Sequence, residues 1–137
     1  MTRPRRFTPV SEWTSERHLL GLRGERLALA YLTSCGWAIE GHRYRVGRHD
    51  IDLVVRKGGL VAFVEVKTRR SATCGSGLEA VSRLKQRWLQ HAAAAWALRH
   101  GRPGDQYRFD LIAVDGGQGG SRIQHVEDAW RPEALGR

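Results

Sequence analysis

The segment Asp50-Ile51-Asp52-Leu53-Val54-Val55-Arg56-Lys57-Gly58-Gly59-Leu60-Val61-Ala62-Phe63-Val64-Glu65-Val66-Lys67 holds two short runs rich in β-branched residues around a Gly-Gly pair. Such runs suit a packed, pleated surface, and paired glycines accept the positive φ of a tight turn, so residues 50–67 predict a β-hairpin. With Gly58-Gly59 as the turn, Lys57 faces Leu60, and counting back sets Asp52 opposite Glu65 and Asp50 opposite Lys67. Alternation along the strands then gathers all four on one face, with opposed Cβ atoms roughly 4.5–5.5 Å apart. A turn centred on Lys57-Gly58 pairs Asp50 with Glu65 instead. Either register sets a carboxylate against Glu65, and the letters leave the choice open.

Facing carboxylates repel one another unless something neutralises them. A divalent cation does so, and a donor set made of oxygens alone suits Mg²⁺ or Mn²⁺ rather than Zn²⁺. A cation held there would activate water and offset charge on a phosphate, with Lys67 orienting the water or balancing the developing negative charge. Asp52, Glu65 and Lys67 therefore point to metal-dependent hydrolysis of a phosphodiester. The bland alternative makes Asp52 a strand cap and Glu65 with Lys67 a solvated pair. Against it, Leu60 to Val66 is almost wholly apolar, as in a strand buried on both faces, and an acid interrupting such a strand is costly unless it is used.

An Asp, then a strand turn, then Phe63-Val64-Glu65-Val66-Lys67-Thr68-Arg69 resembles the PD-(D/E)xK signature of restriction-endonuclease-like nucleases. More narrowly, the chain resembles the bacterial YraN family of predicted endonucleases, which is similar to archaeal Holliday-junction resolvases. The resemblance spans roughly residues 21–127 and includes Gly24-Glu25-Arg26-Leu27-Ala28, Tyr31-Leu32, Ile51-Asp52-Leu53, Ala80-Val81 with Lys85, and Arg108-Phe109-Asp110. It implies Asp52 and Glu65 as metal-binding acids, Lys67 as the catalytic lysine, and the main-chain carbonyl of Val66 as a further ligand. It also implies Glu25, on the first helix, as an acid brought to the metal from outside the hairpin, Lys85 as a contact to backbone phosphate, and Asp110 as a structural residue. One departure stands out. Where the family reads Gly-Glu-Ile-Asp, this chain has His49-Asp50-Ile51-Asp52, which shortens the first acid by a methylene and replaces a flexible glycine. Asp50 still carries a carboxylate able to bind a cation.

The chain has 137 residues, enough for one domain of ordinary size, expected over 13–130 between a basic tail at 1–12 and a frayed end at 131–137. Lys and Arg number 23 against 14 acids, a formal charge of +9 that favours a polyanionic partner. Arg43, Arg45, Arg69 and Arg70 are the candidate phosphate contacts. No segment approaches the roughly 18 apolar residues of a spanning helix. Met1-Thr2-Arg3-Pro4-Arg5-Arg6 has no apolar core behind it, which argues against a secretory signal. Two cysteines, Cys35 and Cys74, make no disulfide framework, so a cytoplasmic location with reduced thiols is expected. His49 alone among six histidines lies near the expected site, and of five tryptophans at most one is assigned to nucleic acid.

Apolar spacing predicts a helix over Thr14–Ser34, ended by Gly36, with Leu20, Leu27, Tyr31 and Leu32 facing the core. A strand over Trp37–Tyr44 completes a meander with the hairpin. Residues 68–77 are expected as a loop, and 78–100 as a second helix whose core stripe is Val81, Leu84, Trp88, Ala92, Ala95 and Trp96. Strands at Tyr107–Val114 and Arg122–Val126 follow, joined by a glycine-rich connection. The expected fold is α/β, a mixed sheet of about five strands led by an antiparallel meander, with helices on its faces. The expected function is a Mg²⁺- or Mn²⁺-dependent endonuclease acting on DNA. Branched DNA, which favours a homodimer, is implied by the resemblance alone. The runner-up is a nucleic-acid-binding module that keeps the fold but cleaves weakly or only with a partner.

Overall fold

The computed structural model describes residues 16–69, 81–117 and 120–132. The expected tail at 1–12, residues 133–137 of the expected tail at 131–137, most of the 68–77 loop and Arg70 lie outside these. Seven elements follow in the order α1 (Glu16–Ser34), β1 (Ala38–Val46), β2 (His49–Lys57), β3 (Leu60–Arg69), α2 (Arg83–His100), β4 (Gln106–Gly117) and β5 (Gly120–Trp130). The strands form one sheet in sequence order. β1, β2 and β3 run antiparallel, β4 joins β3 in parallel after the α2 crossover, and β5 returns antiparallel to β4. The fold is thus α/β, with a five-stranded mixed sheet and two helices.

The hairpin takes the first of the two registers. Lys57 pairs with Leu60 across Gly58-Gly59, Gly58 has φ +60°, and the ladder runs to Leu53 opposite Val64. Alternation then sorts the apolar side chains between two layers. Leu53, Val55, Ala62, Val64, Ile112 and Val114 pack with Ala28 and Leu32 of α1, whereas Val54, Val61, Phe63 and Phe109 pack with Leu89, Ala92, Ala93 and Trp96 of α2. A strand buried on both faces has no polar side to show. That is why Leu60–Val64 reads as a continuous apolar run.

Helix α1 ends as its sequence predicts. Gly36, at φ +92°, lets its own N–H donate to Thr33 O at 3.0 Å and the Trp37 N–H donate to Leu32 O at 3.0 Å, a Schellman closure that also seats Trp37 on Leu32. Two of its buried positions, Gly24 and Ala28, are small. Ala28 is fully buried, and a Cβ placed on Gly24 would lie 2.2 Å from Thr68 Oγ1, so the helix meets β3 more closely than any larger residue would permit.

Several boundaries differ from expectation. Thr68 and Arg69 extend β3 instead of opening a loop, because they pair with Val114 and Asp115 of β4. Asp115, Gly116 and Gly117 likewise continue β4 into a ladder with β5. Helix α2 starts at Arg83, where the Ser82 hydroxyl accepts from the Lys85 N–H at 3.2 Å, so Val81 packs on the core from just before the helix. Its buried stripe is Leu89, Ala92, Ala93 and Trp96, while Leu84 and Trp88 are 55% and 40% exposed. The expected stripe holds at Ala92 and Trp96 and is overturned at Leu84 and Trp88, because the helix lies on β2 through its second half.

Candidate active site

The C-terminal half of β3 and the start of β2 meet where the sheet changes its twist. Leu53 faces the α1 layer, yet Ile51, two residues away, packs in the α2 layer, as does its partner Tyr44 on β1. Two residues along a regular strand keep the same face, so the strand pair rotates between them. Arg43, beside this step on β1, carries the rotation with φ +52°, an uncommon conformation for a residue with a side chain.

Asp52 occupies the step itself. The β2–β3 ladder stops at Leu53 and Val64, so it does not continue to set Asp50 opposite Lys67. Beyond it, Asp52 Oδ2 accepts the Val66 N–H at 2.8 Å, a side chain standing where a strand carbonyl would otherwise be. Burial pushes the Asp52 carboxyl up to about 8, and the nearby Glu65 charge adds to the rise. The Val66 hydrogen bond opposes it, Glu25 adds a smaller push, and Lys85 pulls the other way. The two acids the sequence pairs are therefore close enough to feel each other strongly.

Glu65 and Lys67 follow Val61 and Phe63 on the α2 side of β3, with Lys67 exposed. Glu65 Oε1 accepts from the Lys85 ammonium of α2, and Glu65 Oε2 is buried with no hydrogen-bond partner. Burial disfavours the Lys85 charge, but the hydrogen bond and attraction of Glu65, helped by Asp52, raise its pKa. Lys85, expected at phosphate, stands here against the acid pair.

The other expected residues divide. Glu25 approaches from α1 but is held by Arg43, whose Nη2 donates to Oε2 at 2.7 Å, and His42 Nε2 lies 3.4 Å from the same oxygen. Burial works to raise the Glu25 pKa, and the two partners more than offset it, leaving it lowered. Arg43 is thus engaged with an acid rather than presented to solvent. Arg69 Nε donates to Asp115 at 2.8 Å and is likewise committed within the fold. Arg45 is exposed, its Nε donating to Gly47 O at 2.9 Å, and Asp50 pairs with Arg45 in the β1–β2 ladder. Among the described residues, no three His, Cys, Asp or Glu side chains are arranged to hold a metal ion.

Asp110 fits the structural part the resemblance gives it. Its fully buried carboxylate accepts from Arg108 Nε at 2.7 Å and from the Asp128 N–H at 3.0 Å, and lies 2.8 Å from His125 Nε2. His125 Nδ1 lies 3.0 Å from the Tyr31 hydroxyl, which ties β4 and β5 to α1. Sequence reasoning missed His125 because β5 sets it beside Asp110 through a ladder that shifts register between Phe109 and Leu111.

A five-stranded mixed sheet with α1 on one layer, α2 on the other and an acid pair at the end of β3 is consistent with a restriction-endonuclease-like core. The description "Uncharacterised protein family UPF0102" matches residues 24–114. A UPF0102 protein of Anaeromyxobacter dehalogenans is 41% identical over 114 residues, covering 83% of this chain and 85% of its own. Another from Geobacter sulfurreducens is 40% identical over 123 residues, covering 89% and 96%, and one from Rhodococcus jostii is 41% identical over 112, covering 81% and 95%. The chain belongs to the UPF0102 family, which is the YraN family.

Proposed function

We infer that this protein is a Mg²⁺- or Mn²⁺-dependent endonuclease that hydrolyses phosphodiester bonds of DNA. One observation carries the reading: Asp52 and Glu65 stand together where the apolar run of β3 ends, with a buried Glu65 oxygen lacking a partner and an Asp52 carboxyl driven up by burial and then by its neighbour. Such a pair destabilises a fold and persists where it is used. A hard divalent ion fits this donor set, since Mg²⁺ binds through one or two carboxylates, keeps several waters and takes the rest of its shell from substrate phosphate. Asp52 and Glu65 would hold it, with the Val66 carbonyl as a main-chain donor and Asp50 and Glu25 as nearby acids. When bound, the ion supplies positive charge and Lewis acidity at the scissile phosphate.

The chain's own groups do the rest. Asp52 is oriented by the Val66 N–H, so its free oxygen keeps a fixed direction. Lys85 holds Glu65 in place and offsets part of the acid charge until the ion takes its place. Lys67, exposed two residues beyond Glu65 on the same face, would orient a water or steady charge on the phosphate. The net charge of +9 draws a polyanion, with Arg45, and Arg70 beyond the described residues, as candidate phosphate contacts. The family resemblance favours branched DNA, a symmetric junction would favour a homodimer, and two cysteines that make no disulfide framework favour the cytoplasm. No helix among the described residues is long and apolar enough to cross a membrane.

A second reading, a nucleic-acid-binding module of the same fold, is favoured by one observation: Glu25 is committed to Arg43 and His42 instead of completing an acid cluster. Incubating wild type, Glu65→Ala and Lys67→Ala with linear, nicked, flapped and four-way DNA separates the two. The nuclease reading expects cutting that needs Mg²⁺ or Mn²⁺ and is lost at least 100-fold in both variants while binding persists. Cutting that survives chelation contradicts the metal-dependent mechanism, and binding with no cutting by any protein supports the module instead.

A further inference from the structure

Helix α2 opens with an exposed surface that the acid pair does not explain. Trp88 is 40% exposed, belongs to neither core cluster, and stacks on His49 with ring centroids 3.7 Å apart and planes 16° from parallel. Leu84, four residues earlier and 55% exposed, extends the same apolar stripe. An exposed indole backed by a second flat ring is a prepared π surface, since every nucleobase offers a face to such a ring. Cationic residues flank it in the sequence: Arg48 beside His49, and Arg83, Lys85 and Arg87 on α2, are all exposed.

Its position links it to the site. Lys85, which bonds Glu65, lies three residues before Trp88, a spacing that puts two helical side chains within about 5–6 Å at Cβ. His49 adjoins Asp50 at the start of β2. We propose that Trp88, backed by His49, is a stacking platform for an unpaired nucleobase, so that the DNA engaged beside the acid pair is single-stranded or flapped at that point rather than continuous duplex. A base inside a duplex is already stacked on both faces and gains nothing from the indole, whereas an unpaired base gains the full contact. The location of the platform relative to a cut rests on the nuclease reading; its preference for unpaired DNA does not.

The test measures binding in chelator, where no cleavage intervenes, of a fluorescent oligo-dT and a blunt duplex of equal length. The proteins are wild type, Trp88→Ala, Trp88→Phe and, as a control at the far end of the helix, Leu98→Ala, whose side chain is 90% exposed. The ratio of single-strand to duplex affinity is expected to fall roughly 5- to 150-fold in Trp88→Ala, to be largely kept in Trp88→Phe, and to be unchanged in Leu98→Ala. An equal loss on both DNAs, no loss on oligo-dT, or a wild-type dimer that Trp88→Ala dissociates would overturn the platform, the last by giving this face to a second copy of the chain. Metal-dependent cutting with an unaltered ratio removes the platform and leaves the nuclease. A selective loss in a protein that cuts nothing does the reverse.

Discussion

Replacing Asp52 by Asn in the metal-free protein is expected to stabilise it, and to do so more as pH rises. The folded Asp52 carboxyl is pushed from 3.8 up to about 8 by burial and by Glu65. Between those values the unfolded chain has lost the Asp52 proton and the folded chain still holds it. Stability therefore falls as pH rises through this window and levels off above it. Each pH unit is worth roughly 1.4 kcal/mol per proton, so wild type loses on the order of 4 kcal/mol from this group between pH 5 and pH 8. Total stabilities run only about 5–15 kcal/mol, so the effect is large. Asn keeps the acceptor for the Val66 N–H but never ionises. Urea unfolding with chelator at pH 5 and pH 8 compares the two proteins, and their difference cancels the titration of groups that do not interact with Asp52. The Asn variant should gain roughly 1–2 kcal/mol at pH 5 and roughly 4 kcal/mol more than that at pH 8. A difference independent of pH would refute the claim that this carboxyl is held protonated by its surroundings. Mn²⁺ at about 100 times its Kd should then add roughly 2.7 kcal/mol to wild type and clearly less to the variant.

Other consequences can be checked on the same instrument. Lys85→Met removes the cation that offsets Asp52 and Glu65, so at pH 8 without metal it should cost up to about 1 kcal/mol, with the loss shrinking in acid. Asp110→Ala leaves Arg108 and His125 without their buried acceptor and should cost roughly 3–5 kcal/mol in urea. Burial acts to raise the Asp110 pKa but His125 and Arg108 hold it down, so this contribution is present above the ordinary carboxylate range and fades as pH falls below it. Gly24→Ala should destabilise by roughly 1–3 kcal/mol, since its Cβ would meet Thr68. In a Thr68→Ala background much of that loss should disappear, because the blocking hydroxyl and methyl are gone and alanine is the better helix former by about 1 kcal/mol.

Local chemistry made much of this molecule readable from its letters. The Gly58-Gly59 turn, the Gly36 stop and the doubly apolar β3 each follow from one residue's conformational range or from unbroken hydrophobicity, and the structure has all three. The acid pair was legible because a charge in such a strand is conspicuous. What the letters hid depends on tertiary placement. Nothing local shows that Arg43 turns through positive φ and takes Glu25, or that Arg69 finds Asp115 on the adjoining strand. Nor does helical spacing show which side of α2 meets the sheet. Leu84 and Trp88 fit an apolar stripe as well as Leu89 and Ala93 do, and only contact with β2 selects the latter. Lys85 was singled out by resemblance, and its contact with Glu65 appears only once α2 is laid across the sheet.

Mn²⁺ soaked into crystals and located by anomalous scattering decides whether Asp52 and Glu65 share an ion. One strong peak is expected, ligated by the carboxylates of Asp52 and Glu65 with the Val66 carbonyl beside it, and with Lys85 displaced from Glu65. A cleft that stays empty at millimolar Mn²⁺ with the Lys85–Glu65 pair intact, or a peak bound only by other residues, would contradict a shared ion.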